Sequence, residues 1–337
     1  MSTFGKTILS LAAGAAALAA AGPALALDEV SYGTNWLAEG EHGGFYQAVA
    51  DGTYEKYGLK VTIVQGGPQA ANQQLLLADK VQFYMGGFLG AYNAISNGIP
   101  VVEVAALFQK DPQVLIAHPD QGIEKFEDLA KLNTIFMGKD GLATYFQWMK
   151  TTWPAFKDEQ YKPYTFNAGP FLADKKSAMQ GYITSEPYSI EKQAGIKPKL
   201  FLLADAGYDP YSTTIEVKQD YVAKNPDIVQ RFVDASIIGW YNYLYGDNKA
   251  ANALIKKDNP EMTDAQIDFT IAKMKEYGIV DSGDTLTMGI GCMTDARAKS
   301  VYDKLVKAKV IKADIDISKA YTTKFVCKKV GMDKKPK

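Results

Sequence analysis

The sequence predicts a two-lobed α/β protein in which each lobe is a mainly parallel sheet flanked by helices. Strand-like apolar runs alternate with helical segments from residue 30 to residue 217, and glycine-rich loops follow strands in both halves. The chain has 337 residues, 47% of them hydrophobic, which is enough for two separate cores. The rest of the chain is predicted to be mostly helical.

The first repeating unit lies at residues 30–64. An alternating apolar run at residues 30–32 predicts a strand, residues 45–56 predict one helix, and residues 59–64 predict a second strand. The loop at residues 35–44 holds an aromatic residue, two carboxylates and one of only two histidines. Because ligands of open parallel sheets bind at such strand-to-helix loops, we expect this loop to line a ligand site.

The later pattern divides the chain between two lobes. A buried strand predicted over residues 101–108 is followed by a break, and we interpret Asp111 as the first crossing between lobes. The return is predicted near Tyr211. The order of strand, glycine-rich loop and helix recurs at residues 134–149. The expected boundaries are 27–111 plus 212–337 for lobe 1 and 112–211 for lobe 2.

The first 26 residues have the pattern of a cleaved export signal. Lys6 precedes an apolar run at residues 8–21, and Ala24-Leu25-Ala26 is a small-residue cleavage motif. The run is short and rich in alanine, so a membrane anchor is disfavoured. We therefore expect a periplasmic protein that is not embedded in a membrane.

Composition limits the remaining functions. The net charge of −1 disfavours nucleic acid as a partner. No serine-hydrolase elbow, zinc motif or phosphate loop occurs, so we expect no enzyme activity, no cofactor and no metal. Cys292 and Cys327 are compatible either with a disulfide, which export would permit, or with two separate thiols.

Several motifs resemble one family. Asn35-Trp36, His42 and the run at residues 54–61 resemble the opening of solute-binding proteins related to pyrimidine-precursor, sulfonate and nitrate uptake. Residues 77–83 and 97–101 continue the likeness, which extends to fungal pyrimidine synthases. The resemblance implies a type II-like periplasmic-binding-protein fold and a monomer that delivers a small-molecule solute to an ABC permease and its ATPase.

A set of ligand-contacting residues follows from the loops and the resemblance. Trp36 and Tyr188 are expected to stack on a planar ring, and His42 and Tyr46 to face the cleft together. Glu186 is expected to accept hydrogen bonds from an amine, or to begin a helix. Trp36 and Tyr46 are equally compatible with packing roles, and His42 with a helix cap. The full predicted set is Trp36, His42, Tyr46, Gln69, Gly86, Gly87, Gly138, Asp140, Glu186 and Tyr188.

The charge of the candidate loops indicates the ligand class. Four carboxylates, at Glu39, Glu41, Asp140 and Glu186, outnumber the nearby cations, which favours a neutral or cationic aromatic such as a thiamine-precursor pyrimidine. Sulfonate, taurine or nitrate is the alternative, and a flavin-like ligand is also compatible. A synthase-like activity is disfavoured, because residues 81–99 lack the lysine and histidine of those enzymes.

Overall fold

The computed structural model describes residues 26–67, 72–165 and 167–336. The predicted export signal therefore lies outside the described residues, except for Ala26, and so does Gln69 of the predicted site. Within the described part of the chain, the helices are too short or too polar to cross a membrane.

Ten strands form two five-stranded sheets in the described residues. The first sheet, sheet A, has the order β2-β1-β3-β10-β4, and the second, sheet B, has the order β7-β6-β8-β5-β9. The strands are β1 Asp28–Gly33, β2 Leu59–Val64, β3 Phe83–Gly87, β4 Val101–Phe108, β5 Gln113–Ala117, β6 Thr134–Met137, β7 Tyr161–Pro163, β8 Ser177–Tyr182, β9 Lys199–Leu202 and β10 Ser212–Lys218.

The two sheets share one topological rule. In sheet A, β10 is antiparallel to both of its neighbours, and in sheet B, β5 is antiparallel to both of its neighbours. Each of these strands is the first that the chain forms after crossing from the other sheet. The prediction of two mainly parallel sheets in two lobes is confirmed, and the antiparallel strands lie at the connections between lobes.

Fourteen α-helices cover the sheets in the described residues. They are α1 Gly43–Ala50, α2 Thr53–Lys56, α3 Asn72–Leu77, α4 Phe88–Ser96, α5 Lys139–Ala143, α6 Tyr145–Thr152, α7 Gly169–Ala173, α8 Glu186–Ala194, α9 Gln219–Lys224, α10 Pro226–Tyr245, α11 Lys249–Asp258, α12 Asp264–Glu276, α13 Thr285–Met288 and α14 Asp295–Lys307. The single helix predicted over residues 45–56 is wrong. Gly52, at φ +69°, takes a left-handed conformation that ends α1 and separates it from α2.

An aromatic cluster joins sheet A to the helical tail. Phe232 of α10 stacks on Phe83 of β3 at 3.8 Å between ring centroids, and Trp240 meets Phe45 of α1 edge-on at 5.9 Å. A side chain at Gly44 would overlap the Trp240 ring, since its Cβ would lie 2.2 Å from ring atoms. Trp240, Tyr241 and Tyr243 are buried packing residues, and α10 is thereby held against lobe 1.

A disulfide closes the tail onto sheet A. Cys292 and Cys327 are bonded, which decides between the two alternatives left open by the sequence. The adjoining segment contacts β4, because Ala106 N–H donates to the Gly291 carbonyl at 3.0 Å and the Gln109 amide donates to the Cys292 carbonyl at 2.9 Å. The disulfide therefore fastens the C-terminal segment beside the strand that leads to the second lobe.

Candidate functional site

The candidate site lies where strand ends of the two sheets meet. After β1 the chain forms a short 3-10 helix, Gly40–His42, and after β8 it enters α8 at Glu186. The Thr184 hydroxyl donates to Glu41 Oε1 at 2.5 Å, and the Thr270 hydroxyl of α12 donates to the Thr184 carbonyl at 2.9 Å. Thr184 of the second lobe is thus held by two elements of the first, and the cleft is closed at this point.

Two glycines let these elements come close. A Cβ at Gly40 would lie 2.7 Å from Thr270 Cγ2, so the 3-10 helix packs directly on α12. A Cβ at Gly181 would lie 2.9 Å from Glu186 Cβ, so the glutamate side chain lies along the end of β8. There Glu186 Oε2 accepts a hydrogen bond from the Tyr182 N–H at 2.6 Å. The carboxylate is therefore oriented by the strand before it.

Three carboxylates converge in this region: Glu39, Glu41 and Glu186, which we call the cleft carboxylates. Glu41 is 3% exposed, and the other two are half-buried. Burial raises the pKa of Glu41 to about 7, although the Thr184 hydrogen bond opposes this change. Burial, followed by the charges of the other two, holds the pKa of Glu39 well above its usual range, and burial raises the pKa of Glu186. In the described residues, none of the three forms an ion pair with lysine or arginine.

His42 does not supply the missing positive charge. Its Nε2 lies 3.7 Å from Glu39 Oε1, and its side chain is 2% exposed. Burial lowers the pKa of His42 to about 3, so the imidazole is neutral at physiological pH. Its Nδ1 is buried and has no hydrogen-bond partner in the structure. The site therefore presents carboxylates and a neutral imidazole.

The part of lobe 2 around Gly138 and Gln180 is polar, and its polar groups form hydrogen bonds with one another. Gln180 Oε1 accepts hydrogen bonds from the Gly138 N–H at 2.6 Å and from the Tyr145 hydroxyl at 2.9 Å. The Gly138 N–H is therefore already engaged within the lobe. Asp140 is exposed in the first turn of α5. The structure brings Gly138 to the wall that carries Gln180, and it leaves Asp140 in solvent.

The other predicted residues are dispersed. Trp36 is half-buried, and its carbonyl accepts hydrogen bonds from Gly66 N–H at 3.0 Å and from the Thr34 hydroxyl at 2.8 Å. Tyr188 is half-buried beside Phe269 of α12, with 5.5 Å between ring centroids. Both lie at the ends of site-forming elements, so a stacking role remains compatible with their positions.

Tyr46 and the two glycines of β3 have structural explanations. The Tyr46 ring is buried, and its hydroxyl donates to Asp258 of α11 at 2.8 Å, so the side chain takes part in lobe 1 packing. Gly86 and Gly87 end β3 half-buried. A Cβ at Gly86 would lie 2.8 Å from a buried glutamate oxygen of Glu103, which explains the glycine without a ligand.

Sequence reasoning missed the residues that join the lobes. Glu39 and Glu41 were counted as loop charges but not as site residues, and Thr184 and Thr270 were not considered. Thr184 precedes Glu186 by two positions at the end of a predicted strand, and that proximity was the available signal. The contact between Glu41 and Thr184 spans 143 residues, so no local pattern indicates it.

The fold is that of the periplasmic binding proteins. The nitrate-binding protein NrtA from Synechocystis PCC 6803 superposes with a TM-score of 0.64 at 12% identity, over 89% of this chain and 87% of that one. The sequence model described as NMT1/THI5 like matches residues 39–251, and the chain belongs to this family.

Two further relatives show how widely the fold is used. The riboflavin-binding protein RibY of Chloroflexus aurantiacus is 22% identical over 309 residues, covering 89% of this chain and 86% of that protein. The desulfurization enzyme DSZB superposes with a TM-score of 0.57 at 12% identity, over 88% of this chain and 97% of its own. The fold therefore occurs both in binding proteins and in an enzyme, so the function has to be inferred from the residues of the candidate site.

Proposed function

We propose that this protein is the substrate-binding component of an ABC importer, located in the periplasm, and that it captures a small nitrogen-containing aromatic solute such as a thiamine-precursor pyrimidine. The two lobes would close over the solute by movement at their two connecting segments. Glu186, which keeps partial access to solvent, would accept hydrogen bonds from its N–H groups as a carboxylate, and Glu39, whose raised pKa keeps it protonated in the empty site, would accept through its carbonyl oxygen or lose its proton when a cationic ligand binds.

The convergence of the three cleft carboxylates without a cation carries this proposal. Charges of one sign from two lobes repel when the cleft closes, and burial strengthens that repulsion. A ligand that brings N–H donors or a positive charge relieves it. A sulfonate or nitrate ion adds to it, and for that reason the anionic alternative is disfavoured.

A flavin-like ligand is the second candidate, and the RibY likeness favours it. A flavin ring is planar and carries one ring N–H that can donate a hydrogen bond to a carboxylate, so the same residues would bind it. Pyrimidine and flavin differ mainly in size. Their relative affinities therefore separate the two candidates without changing the proposed residues.

Two features support export and a binding role. The Cys292–Cys327 disulfide is typical of oxidising compartments such as the periplasm, and the N-terminal sequence has the pattern of an export signal. In the described residues, no group of three or more histidine, cysteine, aspartate or glutamate side chains could hold a metal ion, and this includes the cleft carboxylates. We propose that the solute is bound and released unchanged.

Titration calorimetry with 4-amino-5-hydroxymethyl-2-methylpyrimidine, riboflavin, taurine and nitrate tests the proposal. We expect Glu186→Gln to weaken pyrimidine binding by about tenfold or more, because a charged hydrogen bond becomes a neutral one. The matched control is Glu191→Gln, on an exposed position of the same helix, which should leave affinity unchanged. Binding of taurine or nitrate in preference to both aromatic compounds would reject the ligand class and leave the fold unaffected.

A further inference from the structure

A second carboxyl pair, remote from the cleft carboxylates, lies inside sheet A. Glu103 of β4 and Glu216 of β10 are register partners on adjacent strands, and both are 0% exposed. A Cβ at Gly86 would lie 2.8 Å from Glu103 Oε1 and 3.1 Å from Glu216 Oε2. Both carboxyl groups therefore point at the same small space beside β3, where Gly86 leaves room for them.

Their surroundings do not compensate two negative charges. The Gln73 amide of α3 donates to Glu216, with 3.1 Å to Oε1 and 3.4 Å to Oε2. If both groups are carboxylates, both Glu103 oxygens and the Thr214 hydroxyl, all buried, have no hydrogen-bond partner. No lysine, arginine or histidine pairs with either glutamate in the described residues. Two adjacent buried charges without a counterion are too costly to persist.

We propose that Glu103 and Glu216 share one bound proton, and that this proton fastens β4 to β10, the two strands that connect sheet A with the second lobe. The proton resides on Glu103, whose O–H donates to Glu216. This assignment follows from the Gln73 amide, which makes a hydrogen bond that stabilises the ionised form of Glu216, whereas the Thr214 hydroxyl and the Gly87 N–H, which would favour an ionised Glu103, do not reach hydrogen-bond geometry with it. The arrangement satisfies both carboxyl groups without a metal or a basic residue.

The direction in which the pKa values of the pair are shifted agrees with this geometry. Burial, and then the charge of Glu216, holds the pKa of Glu103 well above its usual range, and burial also raises the pKa of Glu216. Titratable groups on the neighbouring strands, on α4 and on the segment bridged to β4 include Tyr32 of β1, Tyr84 of β3, Tyr92 of α4, Lys218 of β10 and Tyr321. The pKa of each lies above its ordinary value, so none of them titrates near neutrality in place of the pair.

The proposal has a defined thermodynamic sign. The folded protein keeps a proton that the unfolded chain releases above the ordinary glutamate pKa, so raising the pH favours unfolding. One extra proton changes the folding equilibrium constant by about tenfold per pH unit. The effect begins near pH 5 and continues up to the pKa of the pair itself.

Urea unfolding of the full mature chain between pH 6 and pH 8.5 tests this sign. Glu103→Gln replaces the donating O–H by a donating amide and removes the titrating proton. We expect the ratio of the variant's folding constant to that of the wild type to rise about tenfold per pH unit. Glu55→Gln, on an exposed position of α2, is the matched control and should show no such rise. A pH-independent ratio for Glu103→Gln would overturn the proposal.

Infrared spectroscopy detects the proton directly and does not depend on one variant folding. The experiment uses the Glu39→Gln variant, because Glu39 is the other carboxyl group whose pKa lies well above its usual range. In this variant we expect the carbonyl band of a protonated carboxylic acid at pH 8. The band should be lost when Glu103→Gln or Glu216→Gln is added, and either variant suffices if the other does not fold. Absence of the band in the background variant, or its survival in the double variants, would overturn the proposal.

Discussion

The cleft carboxylates and the Glu103–Glu216 pair are two answers to the same electrostatic problem. In the described structure neither set of carboxyl groups has a lysine or arginine partner, and in both burial raises pKa values. The cleft group draws its members from two lobes and keeps partial solvent contact, whereas the pair belongs to one sheet and has none. A ligand can therefore relieve the first group, but only a proton can relieve the second.

The largest expected effect tests what holds β4, the strand that carries Glu103. The disulfide joins cysteines separated by 35 residues, and its removal in the double variant Cys292→Ser/Cys327→Ser should cost about 3–4 kcal/mol of unfolding free energy. Because no group that titrates near neutrality is altered, the loss should be equal at pH 6 and pH 8 in urea unfolding. A loss that grows with pH would mean that the disulfide and the Glu103–Glu216 pair are coupled.

The next effect distinguishes the cleft carboxylates from the Glu103–Glu216 pair by the pH range over which each changes the stability of the protein. In Glu41→Gln the Thr184 hydrogen bond retains its acceptor, while the charge is removed. The folded-state pKa of Glu41 is about 7, above its usual value, so the contribution of Glu41 to wild-type stability should fall as pH rises toward 7 and then level off, whereas the contribution of the Glu103–Glu216 pair continues to fall. Glu41→Gln should lack this fall and be more stable at pH 8 by up to about 3 kcal/mol.

Urea unfolding from pH 4.5 to pH 8.5 measures this difference, and Glu191→Gln serves again as the control. The gain of Glu41→Gln over the wild type should stop growing above pH 7, where Glu41 is ionised in both folded and unfolded states. A gain that continues to increase up to pH 8.5 would remove the distinction between the cleft group and the buried pair.

The smallest expected effect tests whether Tyr46 contacts the ligand or only stabilises lobe 1. Tyr46→Phe removes the hydrogen bond to Asp258 and should cost about 1 kcal/mol of unfolding free energy, because one hydrogen bond to a carboxylate is lost. Calorimetry should find the affinity for the pyrimidine unchanged, since Tyr46 packs within lobe 1. Equal stability combined with weaker binding would instead place Tyr46 in the ligand site.

The fold was largely predictable because it depends on local patterns. Apolar periodicity indicated most of the strands and helices. Finer features depended on context. The break at Gly52 follows from a left-handed backbone conformation, which residue type permits but does not require. His118 precedes a proline, a position typical of surface turns, yet it is buried, and its Nε2 lies 2.8 Å from the Phe171 carbonyl oxygen.

The candidate site was less predictable because its contacts join distant parts of the chain. Glu186 was identified through the family resemblance, which places a glutamate before a proline at the end of a strand of the second lobe. The partner of Glu41 is 143 residues away and that of Tyr46 is 212 residues away, so neither could be inferred from spacing. The meeting of Glu103 and Glu216 depends on β10 inserting between β3 and β4, which is a property of topology that the local sequence pattern does not encode.

That insertion also sets an order for synthesis. All five strands of sheet B lie within residues 113–202, so a ribosome releases that sheet as one uninterrupted segment. The first strands of sheet A are synthesised earlier, but the sheet is complete only when β10, residues 212–218, has been synthesised. Until then β3 and β4 lack the strand that lies between them. The second lobe, which begins later in the chain, can therefore complete its sheet first. A truncation before residue 212 would leave sheet A without β10, and β3 and β4 would be unpaired on that side.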